Sequence, residues 1–195
     1  MNVRRPDFSA LGRELQAGGG DAASSSGSLS VLWRSESGAT IFVGNQTAAR
    51  SADLLAQNGI THIVNCTDDL PNFHAARFKY LKFNIAHWQA AGHADYKQRS
   101  NQEVVAFLDS GLKWIDSALT GGGSVLVHCL AGAHRAGTTG ILCLMYKDNL
   151  SAAAATATAK ERRKIIDPIF DFAQCLTTFE AAQRARSGGG QAPKA

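Results

Sequence analysis

Val125-Leu-Val-His-Cys-Leu-Ala-Gly-Ala-His-Arg-Ala-Gly-Thr-Thr139 sets a cysteine and an arginine, Cys129 and Arg135, at the two ends of one short loop. Before the loop, Ser124 to Val127 has the short, β-branched look of a buried strand, and after it Thr138 to Lys147 has the apolar density of a buried helix. The loop therefore joins a strand to a helix. In that setting the amides of Leu130, Ala131, Gly132, Ala133, His134 and Arg135 can turn inward, and the helix points its positive end into the same hollow. A phosphate-sized dianion fits such a space.

The cysteine makes the loop a candidate for catalysis as well as for anion binding. Thiols at helix N-termini beside an arginine ionise readily, so a nucleophilic thiolate is expected at Cys129. Arg135 can hold two equatorial phosphoryl oxygens with its planar fork, more tightly as charge moves in the transition state. Gly132 would let the backbone approach those oxygens without a Cβ in the way. The expected reaction is displacement of phosphate onto sulfur, followed by hydrolysis of the cysteinyl-phosphate. His128, Cys129 and His134 could instead be metal ligands, but structural zinc sites show paired, spaced ligands and the sequence has no second pair. No metal and no cofactor is expected. A merely structural buried cysteine would leave Gly132 and Arg135 unaccounted for.

His128-Cys-x5-Arg135 resembles the HCxxGxxR signature of cysteine-dependent protein phosphatases. From about residue 38 to 183 the chain is similar to the dual-specificity branch, the MAP kinase phosphatases in particular. Gly59-Ile-Thr-His-Ile-Val-Asn-Cys-Thr67 resembles that family's central strand, with Asn65 at its asparagine, and Leu70-Pro-Asn72 resembles the turn after it. Tyr80-Leu-Lys-Phe-Asn-Ile85 is similar to the strand leading to the acid loop, and Ile166-Asp-Pro-Ile-Phe-Asp-Phe172 to the start of the last helix. The resemblance implies hydrolysis of phosphotyrosine, and of phosphoserine or phosphothreonine, in phosphoprotein substrates that include MAP-kinase-like ones.

The chain departs from the family at two places. Where the family sets a general-acid aspartate, this sequence has Ala86-His87-Trp88. Asp95, the only acid in the segment from Gln89 to Arg99, lies near the family's usual spacing from the nucleophile and is the first candidate; His87, in the aligned slot, is the second. An ordinary solvated loop carboxylate is the competing reading of Asp95. Ala136 stands where most members carry a serine or threonine that assists the sulfur as leaving group. The phosphatases of regenerating liver also have alanine there, which implies slow hydrolysis of the phosphoenzyme. Thr138 and Thr139 are expected to stabilise the first helical turn, partial substitution for that hydroxyl being the alternative.

Two further assignments follow from the resemblance. A basic residue at the place of Arg163 and Lys164 touches the second phosphate of a doubly phosphorylated substrate in related phosphatases; a solvated helix end is the alternative. Cys66 ends a strand expected beside that of Cys129, and the regenerating-liver and lipid phosphatases carry a resolving cysteine at a similar place. A small buried hydrophobe is the alternative there.

The remaining sequence predicts an α/β fold. Strands are expected at Thr40–Val43, Thr61–Cys66, Tyr80–Ile85 and Ser124–His128, and helices at Ala48–Asn58, Asn101–Leu119, Ala136–Lys147, Ala152–Lys164 and Pro168–Arg184. Ser100 and Glu103 can form a capping box, and Asp167-Pro168 reads as an N-cap followed by proline at the first helical position. Such alternation implies a mainly parallel central sheet with helices on both faces and the loop of Cys129 at its carboxyl edge. With 195 residues and 45% apolar content, one catalytic domain is expected over residues 31–185. The Gly/Ser-rich residues 1–30 and the end from 186 to 195 are expected to be disordered tails.

The four cysteines lack paired spacing, which suits a reducing compartment, and no signal core or membrane-length apolar run occurs. A cytoplasmic protein without stable membrane insertion is expected, the nucleus being left open. The charge of +4 and pI near 9.0 suit an acidic partner, whereas nucleic acid is disfavoured because the basic residues are not interleaved with aromatics. The alternatives are a catalytically weak phosphoprotein-binding module, motivated by the missing acid and Ala136, and an RNA 5′-triphosphatase or lipid phosphatase. Leu130 and Ala133 stand where phosphoinositide-specific relatives place lysines, which disfavours inositol lipids.

Overall fold

A five-stranded sheet in the order β1-β2-β5-β3-β4 forms the centre of the molecule in this computed structural model, which describes residues 25–89, 99–169, 171–186 and 194. After a single helical turn at Ser25–Ser28 come β1 (Leu29–Arg34), β2 (Thr40–Gly44), α1 (Gln46–Arg50), α2 (Ala52–Gln57), β3 (Ile60–Asn65) and β4 (Lys79–Lys82). A 3-10 turn at Ile85–His87 follows, then α3 (Asn101–Thr120), β5 (Ser124–His128), α4 (Arg135–Asp148), α5 (Ala152–Arg162) and α6 (Phe172–Arg186). Strands β2, β5, β3 and β4 run parallel, and β1 pairs antiparallel with β2 at one edge.

The two-residue period of the strands divides the core in two. Ile41, Val43, Val64, Val125 and Val127 join one buried cluster with Leu108, Leu112, Ile141 and Phe172 from α3, α4 and α6. Phe42, Ile63 and Leu126, pointing the other way, pack with Ala48, Ala49 and Leu55 of α1 and α2. Both faces are covered, as the near-continuous apolar runs of β2 and β5 require. Gly140 lets α4 close on the sheet: a Cβ there would come within 2.6 Å of Leu32 Cδ2 and 2.9 Å of Val43 Cγ2.

One rung of the ladder positions the chemistry. Gly44, His128, Asn65 and Lys82 pair across β2, β5, β3 and β4. The residues just beyond it, Asn45, Cys129, Cys66 and Phe83, therefore leave the sheet at the same carboxyl edge.

Several boundaries differ from expectation. The strand β1 begins at Leu29, inside the stretch read as a tail; its Leu32 is fully buried although Gly and Ser precede it. The helix expected over Ala48–Asn58 is two helices, because Ser51 ends α1 and caps α2 by accepting from Leu54 N at 3.3 Å. The strand expected over Tyr80–Ile85 is β4 and then the 3-10 turn, which Asn84 caps through Ala86 N at 3.1 Å. Asp167-Pro168 does not open the last helix, which starts at Phe172. Instead the Asp167 backbone packs on the loop between β5 and α4, its N–H donating to Ala133 O at 3.3 Å and its carbonyl meeting His134 Nδ1 at 2.7 Å. No helix among the described residues is long and apolar enough to cross a membrane.

Candidate active site

Cys129 follows β5 directly and is 3% exposed, its sulfur accepting a hydrogen bond from Gly132 N at 3.3 Å. That bond folds the loop back over the thiol. Gly132 has φ +71, and a Cβ on it would strike Gly44 O at 2.5 Å. Its need for glycine thus arises behind the loop, against β2, and not on the side expected to meet oxygens. The Leu130 carbonyl is fixed to the same edge by Gln46 N at 3.1 Å.

Helix α4 starts at Arg135, which is buried. His134 takes the N-cap position without a side-chain capping bond, its ring being turned to the Asp167 carbonyl. The first turn therefore keeps its amides and its positive end toward the loop rather than toward a capping oxygen. Thr138 and Thr139 hydroxyls donate back to the His134 and Arg135 carbonyls at 2.8 and 3.0 Å, bonds within the first turns of α4. Ala136 is fully buried and offers the sulfur no donor.

Arg163 lies elsewhere than expected. It is 6% exposed, with Nε donating to Gly132 O at 2.9 Å and Nη2 to Ala131 O at 3.3 Å. Its Nη1 reaches the Gly27 carbonyl and Ser30 Oγ, each at 3.2 Å. A guanidinium so engaged behind the loop does not face a second phosphate, and the expectation of substrate contact is corrected to support of the loop. By drawing the Ala131 and Gly132 carbonyls outward it favours inward-facing amides. Burial lowers its pKa, and the neighbouring Cys129 opposes that shift. Lys164, next in sequence, is exposed.

Asn65 is fully buried and shapes the loop after β3: its Nδ2 donates to Leu70 O at 2.9 Å, and its Oδ1 accepts from Thr67 N at 3.1 Å and Thr67 Oγ1 at 2.7 Å. Cys66 donates from Sγ to Thr139 Oγ1 at 3.6 Å while its N–H bonds the His128 carbonyl at 2.8 Å. Burial, and then the nearby Cys129, push the Cys66 thiol strongly upward. Asp95 lies outside the described residues. His87 is described, and its Nε2 meets Asp68 Oδ2 at 2.7 Å. Sequence reading had passed over Asp68, because its partner stands 19 residues away and no local pattern links the two.

The family profile for the dual specificity phosphatase catalytic domain matches residues 41–182. The chain is 34% identical over 143 residues to human dual specificity protein phosphatase 6, covering 72% of this chain and 34% of that protein. With dual specificity protein phosphatase Mpk3 of Drosophila melanogaster it shares 31% identity over 150 residues, 76% of this chain and 34% of the relative. It thus spans about a third of the length of these relatives. Among solved structures, human DUSP28 superposes with a TM-score of 0.63 at 24% identity, over 79% of this chain and 95% of that one. A leucine rich repeat and phosphatase domain containing protein from Entamoeba histolytica gives 0.61 at 20% identity, over 80% and 94%. These two show the fold alone. The profile over most of the chain, together with relatives above 30% identity, makes the chain a member of the dual specificity phosphatase family.

Proposed function

We propose that the chain hydrolyses phosphotyrosine, and phosphoserine or phosphothreonine, in phosphoproteins through a cysteinyl-phosphate at Cys129. The observation that carries this reading is the placing of Cys129, the Gly132 amide and Arg135 on one loop that runs into an α4 without a side-chain cap. Phosphate bound there would be cradled by the loop amides of Leu130 to Arg135 and clamped by Arg135 as charge spreads over its oxygens. The Cys129 sulfur attacks phosphorus, the ester oxygen departs, and water then releases phosphate from sulfur. Because Ala136 supplies no hydroxyl to the sulfur, the second step is the slow one. Lys164 is the residue proposed to meet a second phosphate, and MAP-kinase-like substrates follow from the resemblance to that branch.

The experiment is phosphate release from an activated aryl phosphate, with Cys129→Ser as control. Burst kinetics in the wild type, and loss of turnover in the mutant, support the reading. Phosphopeptide binding without turnover in the wild type would identify a binding module instead. On peptides, Lys164→Ala should reduce kcat/KM more for a doubly than for a singly phosphorylated substrate.

A further inference from the structure

Asp68 and His87 form a carboxylate–imidazole pair at the carboxyl edge of the sheet, where Cys129 also lies. Asp68 is in the loop after β3, three residues beyond Asn65, which pairs in register with His128. His87 ends the 3-10 turn after β4, and that turn packs against α4, the helix opened by Arg135. Ile85, which opens the turn, and Trp88, which follows it, are buried in the same cluster as Cys129 and Ala136.

The pair is held from several directions. Asn65 fixes the loop through Thr67 and Leu70, and Lys82 Nζ donates to the Thr67 and Asp68 carbonyls at 3.1 and 3.3 Å. Asn84 Nδ2 donates to Asp68 Oδ2 at 2.8 Å, the same oxygen that meets His87. Arg99 Nη1 donates to the His87 carbonyl at 2.7 Å. Side-chain exposures of 58% for Asp68 and 24% for His87 keep the pair in reach of solvent protons. A surface ion pair formed only by chance would not need so many backbone anchors.

A carboxylate can only accept, so Nε2 of His87 carries the proton toward Asp68 and the ring is oriented by it. Resting on the phosphatase reading above, we propose that His87 is the catalytic acid of this chain and Asp68 its positioning residue. As the bond from Cys129 sulfur to phosphorus forms and the ester P–O bond breaks, imidazolium Nδ1–H passes its proton to the departing oxygen, which leaves as an alcohol or phenol. In the second step the neutral imidazole takes a proton from the attacking water, the S–P bond breaks, and inorganic phosphate and the thiolate are restored. The pair stands in for the aspartate that the family sets after this strand. Among the described residues, the charged groups placed at His87 are Asp68 by contact, Lys82 at the Asp68 carbonyl and Arg99 at the His87 carbonyl.

The test compares His87→Asn, Asp68→Asn and Asp95→Asn in the full chain, on an aryl phosphate with a poor leaving group and on one with an activated leaving group. His87→Asn should lose ~10²-fold in kcat/KM, which reports the first step, on the poor leaving group and little on the activated one, as removal of a general acid does. Asp68→Asn should lose less and move the alkaline limb of kcat/KM to lower pH, because the imidazolium then lacks its carboxylate. A leaving-group-dependent loss in Asp95→Asn and not in His87→Asn overturns the proposal, as does an unmoved alkaline limb in Asp68→Asn. Failure of the wild type on the activated ester would overturn the phosphatase reading itself, since that substrate needs no acid.

Discussion

His128 is fully buried, and neither ring nitrogen makes a hydrogen bond among the described residues. Burial pushes its pKa down to about 4; the backbone of Cys129 offsets part of this, and the cations Lys82 and Arg135 add to it. The neutral ring is therefore built into the fold. An unfolded chain binds a proton on His128 below about pH 6.5, the folded chain only below about 4, so stability falls as pH drops through that window. The loss should reach about 3 kcal/mol from this residue. Urea unfolding at pH 7 and pH 5 should show the drop, and His128→Asn should flatten it. Equal slopes in both proteins would show that the acid sensitivity arises elsewhere.

Cys66 carries a second prediction at this scale. Its backbone bond to the His128 carbonyl places it beside Cys129. Peroxide should convert Cys129 to a sulfenic acid that Cys66 captures as a disulfide with loss of water. The raised thiol of Cys66 makes the capture slow. Mass spectrometry should find the linked peptide, and dithiothreitol should restore activity to the wild type but not to Cys66→Ser. Full recovery of the mutant would remove the role. The candidate site is legible in the sequence only where its residues share one contiguous stretch, Cys129 to Arg135. Arg163 was misread because a basic cluster at a helix end looks solvated until its partners, Gly27, Ser30, Ala131 and Gly132, are brought to it by the fold.

Among the elements, α3 was the most legible, since its start signal is local. Ser100 Oγ accepts from Glu103 N at 3.3 Å while Glu103 Oε2 accepts from Ser100 N at 2.8 Å. Ser100→Ala should destabilise the protein by about 1 kcal/mol, lowering Tm by about 2–4 °C for a chain of this size. An unchanged melting curve would mean that packing of Leu108, Leu112 and Ile115 alone sets the start of the helix. The elements misread were those whose limits depend on distant partners. Ser51 interrupts an otherwise helical stretch to cap its second half, and Asp167-Pro168 carries a capping signal that the loop after β5 overrides through Ala133 and His134. Strand β1 lacks a strong alternating pattern and gains its place by pairing with β2.

For the molecule as a whole, the α/β class and the parallel order followed from the alternation of strand and helix signals, whereas the antiparallel edge did not. That edge belongs to the site, because Arg163 ties the Gly27 carbonyl and Ser30 to the loop carbonyls. A chain beginning at Val31 loses those partners and leaves a buried guanidinium underbonded. It should be less stable by roughly 1–3 kcal/mol and bind vanadate more weakly than a chain beginning at Gly27. Equal vanadate affinity would separate the edge strand from the loop.

The uncapped start of α4 has a wider consequence. Most helices bring their own N-cap side chain, whereas His134 turns away from this one, so an anion bound at the proposed site would also act on the stability of the fold. Inorganic phosphate at 100 times its Kd should then stabilise the native state by about 2.7 kcal/mol. Melting temperature should climb with phosphate and not with an equal ionic strength of chloride. Arg135→Ala should lose that dependence.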